Sequence, residues 1–176
     1  MRKLKLYIAV SLDGKIATAD GSVDWLEEIP NPDGEDYDYV SFLESIDITL
    51  TGNNTYKSVN TASLGDIYPG KENYVFTRNP IHNSTDFFRF VSKNPVEFIL
   101  PRLKEEGKDV WLVGGGQLNT LFMNADLVDE IWLYIMPVAL GEGISLFEGT
   151  LNLQQFKLLE TKTYGSGVVK LKYQRG

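Results

Sequence analysis

Apolar and polar positions alternate at the start of the chain, where Leu4, Leu6, Ile8 and Val10 are separated by Lys5, Tyr7 and Ala9. That period of two predicts a strand, and Ser11-Leu12-Asp13-Gly14 ends it. A loop rich in Gly, Asp and Pro follows, through Asn31-Pro32-Asp33-Gly34. Tyr39, Phe42, Leu43 and Ile46 then recur at i, i+3, i+4 and i+7, the spacing of one buried helix face. Residues 46–51 read as a strand stopping at Gly52, residues 74–77 as a short apolar strand and residues 88–92 as another. Asn94 and Pro95 supply a cap and a first-turn proline for a second helix. Val96, Ile99, Leu100 and Leu103 form its apolar face, Pro101 is expected to kink it, and Gly107 to close it. Val110-Trp111-Leu112-Val113 is a strand running straight into Gly114-Gly115-Gly116, and Leu118, Leu121, Phe122 and Ala125 share one face of a third helix. Residues 131–136 form a strand ended by Pro137, and residues 156–164 and 168–173 flank a Gly165-Ser166-Gly167 hairpin turn. Strands alternating with helices, then a terminal hairpin, predict an α/β fold. Its mixed sheet is mostly parallel at the centre and antiparallel at one edge, with helices on both faces.

A chain of 176 residues fits one domain. It holds no cysteine, which excludes disulfides, thiolate metal sites and a thiol nucleophile. The one histidine, His82, lies in the polar run Asn79-Pro80-Ile81-His82-Asn83-Ser84 and reads as a solvated loop residue, so no metal site is expected. A formal net charge of -7 disfavours nucleic acid and anionic membranes as partners. The N-terminus is charged and alternating, and no apolar run approaches the roughly 20 residues of a membrane span, so a cytoplasmic location is expected.

Three strand ends carry candidate chemistry. At Gly114-Gly115-Gly116-Gln117, glycines let the backbone turn sharply and approach a ligand, and the N–H groups of a helix start suit a pyrophosphate. The run fits neither G-x-G-x-x-G nor a Walker motif. Gly52-Asn53-Asn54-Thr55-Tyr56 and Thr77-Arg78-Asn79 follow two other strands, and ligands in open sheets sit beyond the carboxyl ends of parallel strands. Each piece alone is equally consistent with a tight turn, a helix cap or a surface arginine.

Together, and in order, these segments resemble the dihydrofolate-reductase-like proteins, closest to the bacterial group related to the reductase domain of riboflavin biosynthesis. The residues that carry the resemblance are Ile8-Ala9-Val10-Ser11-Leu12-Asp13-Gly14-Lys15-Ile16-Ala17, Gly21-Ser22-Val23-Asp24-Trp25 and the Gly52 run. Leu112-Val113-Gly114-Gly115-Gly116, Val128-Asp129-Glu130-Ile131 and Pro137-Val138-Ala139-Leu140-Gly141-Glu142-Gly143 continue it, so that nearly the whole chain is covered.

The resemblance implies NADPH-dependent transfer of hydride to a pterin-like or pyrimidine-like heterocycle, of the dihydrofolate reductase or 5-amino-6-(5-phosphoribosylamino)uracil reductase type. It places Ala9 and Ile16 at the nicotinamide, Asn53, Asn54 and Thr55 near the phosphates, and Thr77 and Arg78 at the adenosine end. Val113, Gly114, Gly115, Gly116, Gln117 and Leu118 would wrap the pyrophosphate and ribose. Trp25, with Asp24, sits at the loop covering the substrate, and Lys71 stands where folate enzymes hold a substrate carboxylate with arginine. An ungapped count from Gly52 puts Asp36 at the position of a buried carboxylate that guides the proton. Asn53 replaces a cation that grips the 2′-phosphate in the folate enzymes, which keeps NADH open beside NADPH. Val113 replaces a substrate-binding Glu of the riboflavin enzymes. The alternative function is a nucleotide-binding relative without catalysis, acting as a sensor or interaction module. A homodimer through residues 131–136 is also expected.

Overall fold

The computed structural model describes residues 1–60, 68–79 and 84–176; His82 and its neighbours lie outside them. An eight-stranded sheet dominates. In chain order its strands are β1 (Leu4–Val10), β3 (Ile46–Gly52), β4 (Glu72–Phe76), β5 (Phe88–Val91), β6 (Asp109–Gly114), β7 (Val128–Ile135), β9 (Phe156–Thr163) and β10 (Val169–Arg175). They lie side by side as β5-β4-β3-β6-β1-β7-β10-β9. The pairs from β5 to β7 are parallel, whereas β10 runs antiparallel to both β7 and β9. A small antiparallel ribbon of β2 (Lys15–Ala17) and β8 (Ile144–Ser145), unmarked in the sequence pattern, lies outside this sheet.

The alternation in β1 separates two unlike faces. Leu4, Leu6 and Ile8 join Ile48, Leu50, Val110 and Leu112 in the larger core. Helices α3 (Pro95–Leu103) and α4 (Gly116–Asn124) cover it with Ile99, Leu103, Leu118 and Phe122. On the opposite face Tyr7 meets Phe42 of the short helix α1 (Tyr39–Glu44), along with Trp111 and Trp132. Helix α2 (Asn53–Asn60) follows β3 directly.

Several local expectations need correction. Ile46 begins β3 instead of ending the helix, because α1 stops at Glu44. Asn94 does cap α3, accepting from the N–H groups of Val96 and Glu97, but that helix ends at Leu103, two residues after Pro101, well before Gly107. Pro101 has no N–H to donate to the carbonyl one turn back, and the helix runs only two residues beyond it. Leu121 is 36% exposed, and Ala125 caps the end of α4. Of residues 131–136, Ile131, Tyr134 and Met136 are buried and Trp132, Leu133 and Ile135 partly so, with β7 held between β1 and β10.

Asp13 ties the two ends of the chain together. Its carboxylate accepts hydrogen bonds from the Ser11 hydroxyl (2.6 Å) and from the backbone N–H of Leu140 (2.9 Å) and Gly141 (2.7 Å). These donors, the Ser11 hydroxyl first, hold its carboxyl at about 2, below the ordinary 3.8. A depressed carboxyl stabilises the fold above its unfolded value and stops doing so as pH falls through its folded value. Asp13→Asn should therefore lower the melting temperature at neutral pH, and the gap to wild type should narrow between pH 3.8 and about 2. Thermal melts over that range would show a gap independent of pH if the clamp is inert.

Candidate functional site

Two glycine-bearing junctions meet at the carboxyl ends of β3 and β6. A side-chain carbon added at Gly52 would lie 3.5 Å from the Gly114 carbonyl oxygen and 3.6 Å from the Gly115 nitrogen. One added at Gly115 would lie 3.1 Å from Thr55 Oγ1 and 3.9 Å from Ile16 Cδ1. Gly114 has φ 110, a region that favours glycine, and the Gly114–Gly115 peptide is cis. Gly115 then caps α4 at its N-terminus. The structure thus gathers Ile16, Thr55, Gly114, Gly115 and Leu118 into one corner.

Asn53 opens α2 beside them, and its Oδ1 is buried with no hydrogen-bond partner among the described residues. Asn54 is exposed. Arg78 is exposed at the rim, 3.4 Å from Gln117 Oε1, while Thr77 is buried and its hydroxyl accepts from the Asn79 N–H. Ala9 and Val113 are half-buried on the α1 side of the sheet, packed against the aromatic clusters.

The corner is walled by distant chain. Leu146 N–H donates to the Gly14 carbonyl and Glu148 N–H to the Gly116 carbonyl. Asn119 Nδ2 donates to the Leu146 carbonyl at 2.9 Å. The loop through Gly21 comes against Ser58 of α2, where an added carbon would lie 2.8 Å from its hydroxyl.

Next to Ala9, on the α1 face, the carboxylate that stands out is Asp38 and not Asp36. Asp36 is exposed and accepts from the N–H groups of Asp38 and Val40, the work of an acid at a helix start. The expectation of a buried Asp36 therefore fails: the ungapped count from Gly52 lands two residues short of the acid that turns inward. Asp38 Oδ2 accepts from Lys170 Nζ at 2.8 Å, Tyr164 at 3.2 Å and Tyr134 at 3.3 Å. Burial alone would raise its carboxyl, but the hydrogen bond and charge of Lys170 outweigh that and hold it below the usual carboxylate range. Burial and the neighbouring negative charge push Tyr134 and Tyr164 well above an ordinary phenol. Tyr37 and Asp38 both carry positive φ, 54 and 62, a costly conformation for residues with side chains.

Trp25 is buried in a 3-10 turn (Asp24–Leu26), packed with Tyr134 and Tyr164, and its indole N–H has no partner among the described residues. Asp24 is exposed. Lys71 lies apart from the glycine corner. It precedes Glu72, which pairs with Ile48 near the start of β3, whereas Gly52 pairs with Phe76. There it edges an open groove of about 260 Å³ that Tyr39, Leu43, Glu44 and Tyr68 also line.

Asp38, Tyr134, Tyr164 and Lys170 escaped the sequence reading. The sequence carried no signal for Lys170: it alternates with Val169, Leu171 and Tyr173 just as an outward lysine would, and only its place opposite Tyr134 in the sheet buries it. The Val128-Asp129-Glu130-Ile131 segment proves structural. Asp129 accepts from the Leu4 N–H at 2.9 Å and pairs with Arg175 at 2.8 Å, while Glu130 pairs with Lys3 at 2.7 Å. Among the described residues no group of three or more metal-ligating side chains occurs, and no helix is long and apolar enough to cross a membrane.

A mixed sheet of this strand order, with two glycine junctions opening one cleft, is the architecture of a dihydrofolate-reductase-like protein. The model of the RibD C-terminal domain matches residues 2–170, and the chain belongs to that family. It is 38% identical over 175 residues to the uncharacterized protein YwjB of Bacillus subtilis (strain 168), covering 99% of this chain and 98% of that one. A crystal structure of a putative riboflavin biosynthesis protein from Shewanella sp. PV-4 superposes with a TM-score of 0.86 at 28% identity, over 99% of both chains. Dihydrofolate reductase from Enterococcus faecalis, solved with NADP(H), shares the fold with a TM-score of 0.70 at 17% identity, over 99% of this chain and 96% of that one. The fold is one that a dihydrofolate reductase also adopts.

The glycine corner predicts opposite tolerances at adjacent positions. A methyl on Gly116 would run into the Ser145 carbonyl and the Glu148 side chain. Gly116→Ala should thus cost about 1–3 kcal/mol of stability, the usual price of overpacking. Urea denaturation giving an unchanged midpoint would contradict that crowding.

Proposed function

We propose that the protein is an NADPH-dependent reductase acting on a small heterocyclic substrate of pterin-like or pyrimidine-like kind. The observation that carries this reading is the abutment of the Gly52 and Gly114–Gly116 junctions, where a carbon added at Gly115 would press on Thr55 Oγ1 at 3.1 Å. A dinucleotide fits the groups present. Backbone N–H at the starts of α2 and α4 suits its phosphates, the buried Asn53 Oδ1 lacks a donor that a ribose hydroxyl could supply, and Arg78 is exposed at the rim, held only by Gln117 among the described residues. When bound, the cofactor supplies the hydride.

The chain's own residues would do the rest. Thr55, Asn53, Asn54 and Gln117 would hold the phosphates and riboses, with Thr77 and Arg78 at the adenosine end. Ile16 and Leu118 beside the glycine corner, and Ala9 and Val113 on the α1 side of the strand ends, would offer apolar surface that keeps water from the reacting carbon. Trp25 would offer its unpartnered indole N–H to a polar atom of the substrate, and Lys71 would attract an anionic end at the far groove. The inward-turned carboxylate on this face is Asp38, which takes the place first given to Asp36.

Fluorescence titration with NADPH tests the reading directly. Gly115→Ala should keep the fold, because its φ of -83 is open to any residue and Thr55 Oγ1, 3.1 Å from the added carbon, need shift only slightly, yet it should weaken NADPH at least about tenfold, or ~1.4 kcal/mol. Unchanged affinity in the folded variant would remove the glycine turn from the cofactor site. A screen of pterins and pyrimidines for NADPH oxidation would then identify the acceptor.

Cofactor choice has its own test. Arg78→Ala should weaken NADPH relative to NADH by about 1 kcal/mol, the upper scale for an exposed charge pair. Equal losses for both cofactors would show that Arg78 does not read the 2′-phosphate.

A further inference from the structure

The Asp38 cluster has features that a simple structural salt bridge does not need. Lys170 is 3% exposed and bridges two carboxylates, Asp38 at 2.8 Å and Glu160 at 2.9 Å. Its ammonium also lies 4.6 Å from the Trp132 ring centroid. Burial opposes its charge, but the bonds to Asp38 and Glu160 more than restore it, so Lys170 stays protonated. Asp38 is delivered to this cation by two consecutive positive-φ residues. Tyr134, which also bonds Asp38, lies opposite Ala9 in the sheet, so the cluster borders the proposed nicotinamide end of the cleft. Lys162, 3.8 Å from Asp38 Oδ1, adds a second positive charge on the outer side.

Resting on the reductase reading above, we propose that Lys170 is a specificity-determining residue. It is an internal counter-ion that saturates Asp38 and so restricts the cleft to uncharged or anionic acceptors, excluding protonated heterocycles. An unpaired carboxylate at this place would draw a flat cation with two adjacent N–H donors into a bidentate contact. Here the oxygen such a ligand needs already accepts from an ammonium and two phenols. An incoming cation would have to displace Lys170 or Lys162, whose ammoniums already compensate Asp38 and are shared with Glu160 and Glu35. The phenols direct their single O–H donors to Asp38 and stay uncharged, so a neutral acceptor meets no opposing charge there. Lys170 acts through Asp38 and is a positioning residue, not a catalytic one.

The test compares two flat probes that differ in charge: a 2,4-diaminopyrimidine, at a pH where it is protonated, and uracil. Calorimetric binding is measured with and without saturating NADPH. The proposal expects wild type to bind uracil in preference to the diaminopyrimidine. Lys170→Met should raise diaminopyrimidine affinity at least about tenfold and leave uracil affinity unchanged, and adding Asp38→Asn should abolish the gain. Lys170→Gln, which keeps one donor for the carboxylates, serves if the Met variant does not fold, and the same gain is expected. Wild type preferring the diaminopyrimidine, a folded variant without gain, or equal gains for both probes would each overturn it. Failure of NADPH to bind would overturn the reductase reading instead, because the probe measurements without cofactor stand separately.

Discussion

The register of β1 between β6 and β7 is the constraint on which the cleft depends. Leu4 pairs with Val110 on one side, and Ala9 with Tyr134 on the other. Because side chains alternate, a slip of one residue would exchange the two faces of the sheet. Leu6 and Ile8 would then point at α1, and Tyr7 would be forced into the aliphatic core under α3 and α4. The register is secured where the strand begins. Asp109 accepts from the Lys3 N–H and pairs with Lys5 at 2.7 Å, and Asp129 accepts from the Leu4 N–H. Charges at the amino end of the sheet thereby set the alignment of groups at its carboxyl end.

The two faces divide the labour. The aliphatic side supplies cohesion: Leu4, Leu6, Ile48, Leu50, Val110 and Leu112 are each 1% exposed or less. The α1 side is aromatic and polar, with Tyr7 at the centre of rings from Phe42, Tyr39, Trp111, Trp132 and Tyr134. Aromatic rings of that kind tolerate a planar ligand, and their hydroxyls provide polarity without net charge. The helix that closes this side is only six residues long and begins in a strained conformation. A helix so short draws little stability from its own hydrogen bonds, so its packing and the Asp38 anchor must hold it.

Much of this was legible in the sequence because periodicity and glycine placement are local signals. The alternation of Leu4 to Val10, the Asn94 cap and the glycine turn after Val113 each act within a few residues, and each gave the correct element. What stayed hidden depends on distant chain. The β2–β8 ribbon joins Lys15 to Ser145, and neither short strand has a pattern of its own. Asp38 follows Asp33, Glu35 and Asp36 in the sequence with nothing local to set it apart. Only the approach of Lys170, 132 residues later, distinguishes it. The Leu140–Gly141 turn was recognisable as a motif, but not as the partner of Asp13.

That last contact has a consequence for the order in which the molecule can be assembled during synthesis. Both glycine junctions have been made once α4 is complete, yet the groups that wall them come later in the chain: Leu140 and Gly141 for Asp13, Ser145 for Lys15, Leu146 for Asn119. A nascent chain ending before Pro137 therefore carries every residue expected to touch the dinucleotide but cannot enclose it. Because these closures span more than a hundred residues or follow one that does, their entropic cost falls on the final stage of folding. Closure of this corner is thus coupled to synthesis of the later segments, and a chain truncated before them would keep both glycine junctions without their walls.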